Sequence, residues 1–308
     1  MLGSFLIVFP IFAVIALGWS AVRLRLVSQE TGNGVAEFVF VIALPLMLFR
    51  ALATAQLPSS PPWTFWLSYY LGLAVIWIVI ARIARHAFGR GGQEAGIIGF
   101  TAGQSNMVLM GVPLVLRVLG DEASIPLFLL IAVNLPITLS VATLLIESST
   151  PGTSKGWGIL HKLATNPILI GIAAGVLFRQ TGLALPDPVL GTLKFIGDAA
   201  GPCALFAMGA ALSRYGFGGD AKLLSIVVGL KLLVLPVLVY LLASKVFALA
   251  PLWTAVAVLL ASSPCGVNAY LLAERYRLGQ GLASGAIAVS TLFSVLTTTF
   301  WVWVLTMR

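Results

Sequence analysis

Gln104, Ser105 and Asn106 stand side by side in the middle of a long apolar run, and no other stretch of this chain constrains its fold as strongly. The surrounding sequence, AGQSNMVLMGVPLVL from Ala102 to Leu116, also carries Gly111 and Pro113. Three adjacent polar side chains are costly in lipid unless they are buried in protein or face a ligand. Pro113 lacks a backbone N–H, and its ring clashes with the carbonyl four residues earlier, so a helix is expected to break here. Broken backbone at membrane depth is tolerated only where it is buried or lines a cavity. A second stretch has the same character. ASSPCGVNAY, Ala261 to Tyr270, contains Ser262, Ser263, Pro264, Gly266 and Asn268. Two broken helices in the two halves of one chain are the sequence pattern of a binding site in a carrier.

Composition places the rest of the chain in a membrane. Of 308 residues, 59% are hydrophobic and 9% charged, against roughly 25% charged in soluble domains. Apolar runs of about 20 residues mark spanning helices. Ten are expected, over 4–22, 35–55, 63–85, 94–117, 122–146, 160–180, 188–212, 222–248, 251–275 and 279–306. The fold class is therefore all-α and polytopic. The start, MLGSFLIVF, has no basic segment and reads as a first spanning helix. The net charge of +8 does not point to nucleic acid, because the basic residues are scattered between apolar runs. Cys203 and Cys265 both lie within apolar runs, so neither a disulfide framework nor a CxxC site is present.

The chain repeats itself. Pro10 and Pro167 are 157 residues apart, as are Pro45 and Pro202. At the same offset Leu67, Ser68, Gly72 and Leu73 fall on Leu224, Ser225, Gly229 and Leu230, and Ser105 falls on Ser262. The expected division is a first five-helix repeat over 1–147, a short linker over 148–159 and a second repeat over 160–308. An odd number of helices per repeat makes the second enter the membrane from the opposite side. Basic residues orient the whole. Loops after odd-numbered helices hold eleven of them, from Arg23 to Arg277. The other loops and the end hold four: Arg117, Arg179, Lys245 and Arg308. The positive-inside rule puts the eleven in the cytoplasm and both termini outside.

Charges within the runs are few. Arg50 sits near the end of its helix and is expected to snorkel to the interface. Lys194 and Asp198 share a helical face and can neutralise each other. Lys231, half-way through its run, is expected to face a cavity. The two broken stretches contain no acid. A cation cage would call on carboxylates or many carbonyls, whereas freed N–H groups at half-helix ends attract anions. The substrate-binding candidates are Gln104, Ser105, Asn106, Ser263, Gly266, Val267 and Asn268, with Gly111, Pro113, Pro264 and Gly266 making the breaks. No metal site and no cofactor are expected. His86 and His161, the two histidines, fall in loops, and HExxH, GxSxG and Walker-type motifs are absent, so the chain does not read as an enzyme.

Four motifs carry a resemblance that runs through nearly the whole chain. FVFVIALPLMLFRALA resembles helix 2 of the auxin efflux carrier family, and SNMVLMGVPLV its first crossover. GDAAGPCALFAMGAAL resembles its helix 7, and SSPCGVNAYLLAERY its second crossover. The short central loop is like that of bacterial members. The resemblance implies ten helices in two inverted repeats, with helices 4 and 9 broken and crossing, an architecture shared with bile-acid symporters and sodium–proton antiporters. It implies a scaffold of helices 1, 2, 6 and 7, a transport domain of helices 3–5 and 8–10, and a homodimer in the bacterial cytoplasmic membrane. Asn106 matches the first-crossover Asn, and Pro264 and Gly266 match the second-crossover Pro and Gly. Ser105 stands where plant carriers have Pro. Bacterial relatives are associated with dicarboxylates such as malate and malonate. The expected function is therefore a secondary transporter of a small organic anion, moving by an elevator-like mechanism. A sodium-coupled symporter, a proton-coupled antiporter and a membrane sensor are the alternatives.

Overall fold

The computed structural model describes residues 1–54, 62–147, 164–216 and 218–306. The central linker at 148–159 lies outside the described residues. The described chain is helical throughout. Seven helices are long and apolar enough to cross a membrane. These are α1 Leu2–Arg23, α2 Gln29–Thr54, α3 Trp63–His86, α6 Ser124–Glu147, α8 Asp187–Leu212, α9 Ala221–Val246 and α12 Gln280–Thr306. Shorter helices complete the order: α4 Gly92–Gly103, α5 Met107–Leu119, α7 Pro167–Gln180, α10 Pro251–Ser262 and α11 Val267–Tyr276.

Helix starts follow local chemistry. The Ser28 hydroxyl accepts from the Thr31 N–H at the start of α2. Asn166 Oδ1 accepts from the Ile168 and Leu169 N–H groups, with Pro167 in the first turn of α7. Asp220 does the same for α9 through Lys222 and Leu223. Each side-chain oxygen satisfies donors that the first turn leaves open.

Prolines inside these helices bend the ladder without ending it. Three of them share one device. Val39–Ala43, Met107–Gly111 and Leu230–Val234 are wide turns with bonds spanning five residues. Each is followed at its second position by a proline: Pro45, Pro113 and Pro236. The carbonyl that a proline cannot satisfy, four residues before it, falls inside the wide turn each time. The expected break at Pro113 therefore does not occur there. The wide turn absorbs the clash, and the helix interrupts earlier, at Gln104–Asn106.

Two of the helix pairs that pack backbone to backbone are related by the repeat. In α1 and α8, a Cβ added at Gly18 would lie 2.2 Å from the Phe206 carbonyl oxygen, and one at Gly209 would lie 2.0 Å from that of Ile15. In α2 and α7, a Cβ at Gly175 would lie 2.8 Å from the Phe49 carbonyl oxygen, and one at Gly171 would lie 2.6 Å from that of Pro45. Small residues let membrane helices approach this closely. Gly18–Phe206 and Gly175–Phe49 are the same contact with the partners exchanged, since both residues move by 157 positions. At the helix breaks the offset has grown to 159: α4 ends at Gly103 and α10 at Ser262. At the crossing itself Asn106 and Gly266 make the same bond, to Pro264 and Gln104, so Ser105 corresponds to Cys265, and the sequence match of Ser105 with Ser262 is out of register by three residues.

These contacts predict a graded response. Gly18→Val and Gly175→Val should both lower the unfolding temperature of the purified protein, because overpacking costs about 1–3 kcal/mol or more. Gly34→Val, where a Cβ meets nothing within 4 Å, should not. Thermal unfolding followed by tryptophan fluorescence makes the comparison.

Candidate functional site

Two helices stop at the same place in space. After Gly103 the chain extends through Gln104, and after Ser262 it extends through Ser263. The two extended segments pass antiparallel. The Asn106 N–H donates to the Pro264 carbonyl at 2.8 Å, and the Gly266 N–H donates to the Gln104 carbonyl at 2.8 Å. Only glycine fits at 266, because a Cβ there would lie 2.9 Å from the Ser105 carbonyl oxygen. The Cys265 N–H donates to Ser290 Oγ of α12 at 2.9 Å. Backbone groups freed by the breaks are thus largely paired with each other. This differs from the expectation that they all point at a ligand, and the reason is that an unpaired buried N–H costs as much as a lost hydrogen bond.

What faces open space is a cavity of about 310 Å³ beside this crossing. Gln104, Ser105, Asn106, Gly266, Val267 and Asn268 all line it. So do Asn134 of α6 and Asn166 at the start of α7. Among the described residues, none in its wall is charged. Gln104 Oε1 and Asn134 Oδ1 are buried with no hydrogen-bond partner among the described residues. An amide that turns over presents NH₂ donors in place of its oxygen. Gly266 gives α11 no side-chain cap, so the first turn of that helix, at Val267 and Asn268, opens beside the cavity. Asn106 has a second duty. Its Oδ1 accepts from the Leu109 N–H at 3.2 Å and caps α5, while Nδ2 lies 3.5 Å from Met208 Sδ.

Lys231 lies on the other side of Ser105. It is fully buried, and the wide turn of α9 brings its Nζ to 2.5 Å from Ser105 Oγ and 3.0 Å from the Ala261 carbonyl oxygen. Tyr69 of α3 shares a 2.9 Å hydrogen bond with the same Ser105 hydroxyl. Among the described residues no carboxylate pairs with Lys231; the ion pairs there are Arg90–Glu94 and Lys194–Asp198. Lys231 is therefore not in the cavity wall as expected. It braces the crossing from behind, through the Ser105 hydroxyl.

Other candidates sit elsewhere. The Ser263 hydroxyl donates to the Leu259 carbonyl at 3.1 Å and does not line the cavity. Gly111 makes room for Leu260, whose Cδ2 would lie 2.6 Å from an added Cβ. Lys194 and Asp198 form a 2.6 Å pair with side chains 59% and 57% exposed, away from the crossing cavity. Such a pair contributes little to stability. Asn134 was not singled out from sequence. Its signal is a lone Asn in the apolar run IAVNLPITL.

The sequence as a whole agrees with this architecture. The model of the membrane transport protein family matches residues 4–155 and 158–302. The chain belongs to this family, that of the auxin efflux carriers. It is a membrane transporter. A relative from Rhizobium meliloti (strain 1021), named "Putative malonate transporter", is 29% identical over 297 residues, covering 95% of this chain and 93% of its own. The transporter YfdV of Escherichia coli K12 is 24% identical, covering 96% and 95%. Auxin efflux carrier component 8 of Arabidopsis thaliana is 23% identical, covering 94% of each.

A buried ammonium without a counter-carboxylate works against folding. Lys231→Met should therefore leave the unfolding temperature unchanged or higher, while solute flux through the transporter falls at least tenfold. A variant that unfolds at a lower temperature in parallel with its loss of flux would make Lys231 an ordinary structural residue.

Proposed function

We propose that this transporter carries a small organic anion, a carboxylate or dicarboxylate such as malonate, through the cavity beside the crossing. The observation that carries this reading is the cavity wall. It has amides from Gln104, Asn106, Asn134 and Asn268, the open first turn of α11 at Val267, and, among the described residues, no acid. Helix N-termini and amide donors suit a carboxylate. Its size falls at the small end of the range for ligand cavities. Gln104, Ser105, Asn106, Asn134, Gly266, Val267 and Asn268 form the substrate site in this reading. Ser263 is left out, because its hydroxyl is already bonded.

In this reading the chain forms ten spanning segments in two inverted repeats, over 1–147 and 160–308, with both termini outside the cytoplasmic membrane. Broken segments 4 and 9 are α4 with α5 and α10 with α11. The exchanged contacts Gly18–Phe206 and Gly175–Phe49 support that symmetry. Helices α1, α2, α7 and α8, which pack as the pairs α1–α8 and α2–α7, form the scaffold. The remaining helices form the moving body, which carries the crossing past the scaffold in an elevator-like step. The scaffold is also the natural face for a homodimer in the lipid.

Lys231 bears on coupling. Its ammonium fills the point where Ser105 Oγ and the Ala261 carbonyl converge. A sodium ion would have to displace it to bind those oxygens. This favours a carrier that does not use sodium over the bile-acid type of symporter.

Two measurements test the proposal. Asn134→Ala removes a buried amide whose oxygen has no partner among the described residues, so it should spare the fold. It should weaken malonate or succinate binding about ten- to a hundredfold, the equivalent of one hydrogen bond to a charged group. Wild-type affinity in the variant would remove Asn134 from the site. Flux in proteoliposomes should be the same in sodium and potassium media, and a sodium-dependent rate would reinstate the symporter.

A further inference from the structure

A larger cavity, of about 500 Å³, lies further along the same scaffold. The first cavity touches α2 at Phe40 and Val41, and this one touches it from Met47 to Ala51. At 1.5 Å per residue the two are about 13 Å apart along α2. They also use different turns of α5: Met107 to Leu109 in the first, Val112 to Arg117 in the second. The first cavity is at the crossing, and the second lies further from it along both α2 and α5.

The wall of this second cavity is apolar, with Pro10, Ile11, Phe128 and Leu205 among its residues, and it carries four charges. Three are accounted for. Asp198 is held by Lys194 at 2.6 Å, and Arg117 and Asp121 are exposed at the rim. The fourth is Arg50, which among the described residues makes no ion pair or side-chain hydrogen bond, and whose Nε is buried without a partner there. Arg50 was expected to snorkel to the interface. It is half-buried and lines this cavity, which also reaches the exposed Arg117 and Asp121. A guanidinium is always charged and presents its donors in a fork that matches a carboxylate in two-point contact. Leaving a buried polar atom of such a group unpaired is costly unless something else meets it.

We infer that the Arg50 cavity is a second station for the transported carboxylate, further along the scaffold from the Asn106 cavity. The anion docks on the Arg50 guanidinium on its way to or from the crossing. The inference rests on the proposed anion transport, but it concerns a separate site. A phospholipid phosphate has the same two-point chemistry, so the test separates the two sources.

Purified full-length transporter in neutral detergent is titrated with radiolabelled malonate, alone and with phosphatidylglycerol added. Wild type should bind two malonates per chain. Arg50→Gln should lose one class, by at least tenfold in affinity, and keep the other. Asn106→Ala should do the reverse. Arg50→Lys should recover the lost class only in part, because the charge returns without the fork. A single class, removed by Asn106→Ala and indifferent to Arg50→Gln, would overturn the second station and leave the crossing site standing. Loss of all binding in a correctly folded Arg50→Gln would overturn it too, by making the site one. Displacement of the Arg50-dependent class by phosphatidylglycerol at stoichiometric amounts would assign the cavity to lipid. No malonate bound by wild type would reject both sites. In sided proteoliposomes, Arg50→Gln should raise the KM for malonate at one face by at least tenfold and leave the other within twofold.

Discussion

Two backbone hydrogen bonds, Asn106 to Pro264 and Gly266 to Gln104, hold the centre of this protein together. Each helix break frees donors and acceptors in a place without bulk water. Such groups must be satisfied from within. Here each break satisfies the other, which is why the two must occur at the same depth and run antiparallel. The rest of the site follows from that crossing. Gly266 is required by the approach of Ser105. Ser105 is braced by Lys231 and Tyr69. The unpaired first turn of α11 is left facing the cavity, beside Asn134 and Gln104.

Proline has a different part in this fold from the one its chemistry first suggests. Pro45, Pro113 and Pro236 each follow a wide turn that takes in the carbonyl they cannot bond. The wide turn also rotates the residues it contains. In α9 that turn includes Lys231, and its rotation directs the side chain toward Ser105 and Ala261. In α5 it includes Leu109, whose N–H meets the Asn106 side chain. A device that accommodates proline thereby sets two groups at the crossing.

Much of this was legible in the residues. Apolar runs gave the helices to within a few positions, because burial in lipid demands length and little else. Two polar interruptions located the crossing, because lipid penalises them heavily. Finer placement was less accessible. The break falls at Gln104 and not at Pro113, since a wide turn leaves no one-dimensional mark. The 157-residue offset holds in the first two helices of each half and drifts to 159 at the breaks. Arg50 and Lys231 could not be aimed from sequence, since a long side chain on a helix has two directions to run. Ser263 faces its own helix for the same reason that many membrane serines do, a free carbonyl one turn back. Asn134 passed unnoticed because a single amide in an apolar run is common.

The central claim is that the crossing presents an amide-lined, acid-free cavity to a carboxylate. Electron cryomicroscopy of the purified transporter with saturating malonate tests it most directly. The account predicts density for a planar carboxylate between Asn134, Asn106 and the first turn of α11, with the Asn106–Pro264 and Gly266–Gln104 bonds intact. An empty cavity with malonate bound elsewhere, or α4 running unbroken into α5, would contradict it.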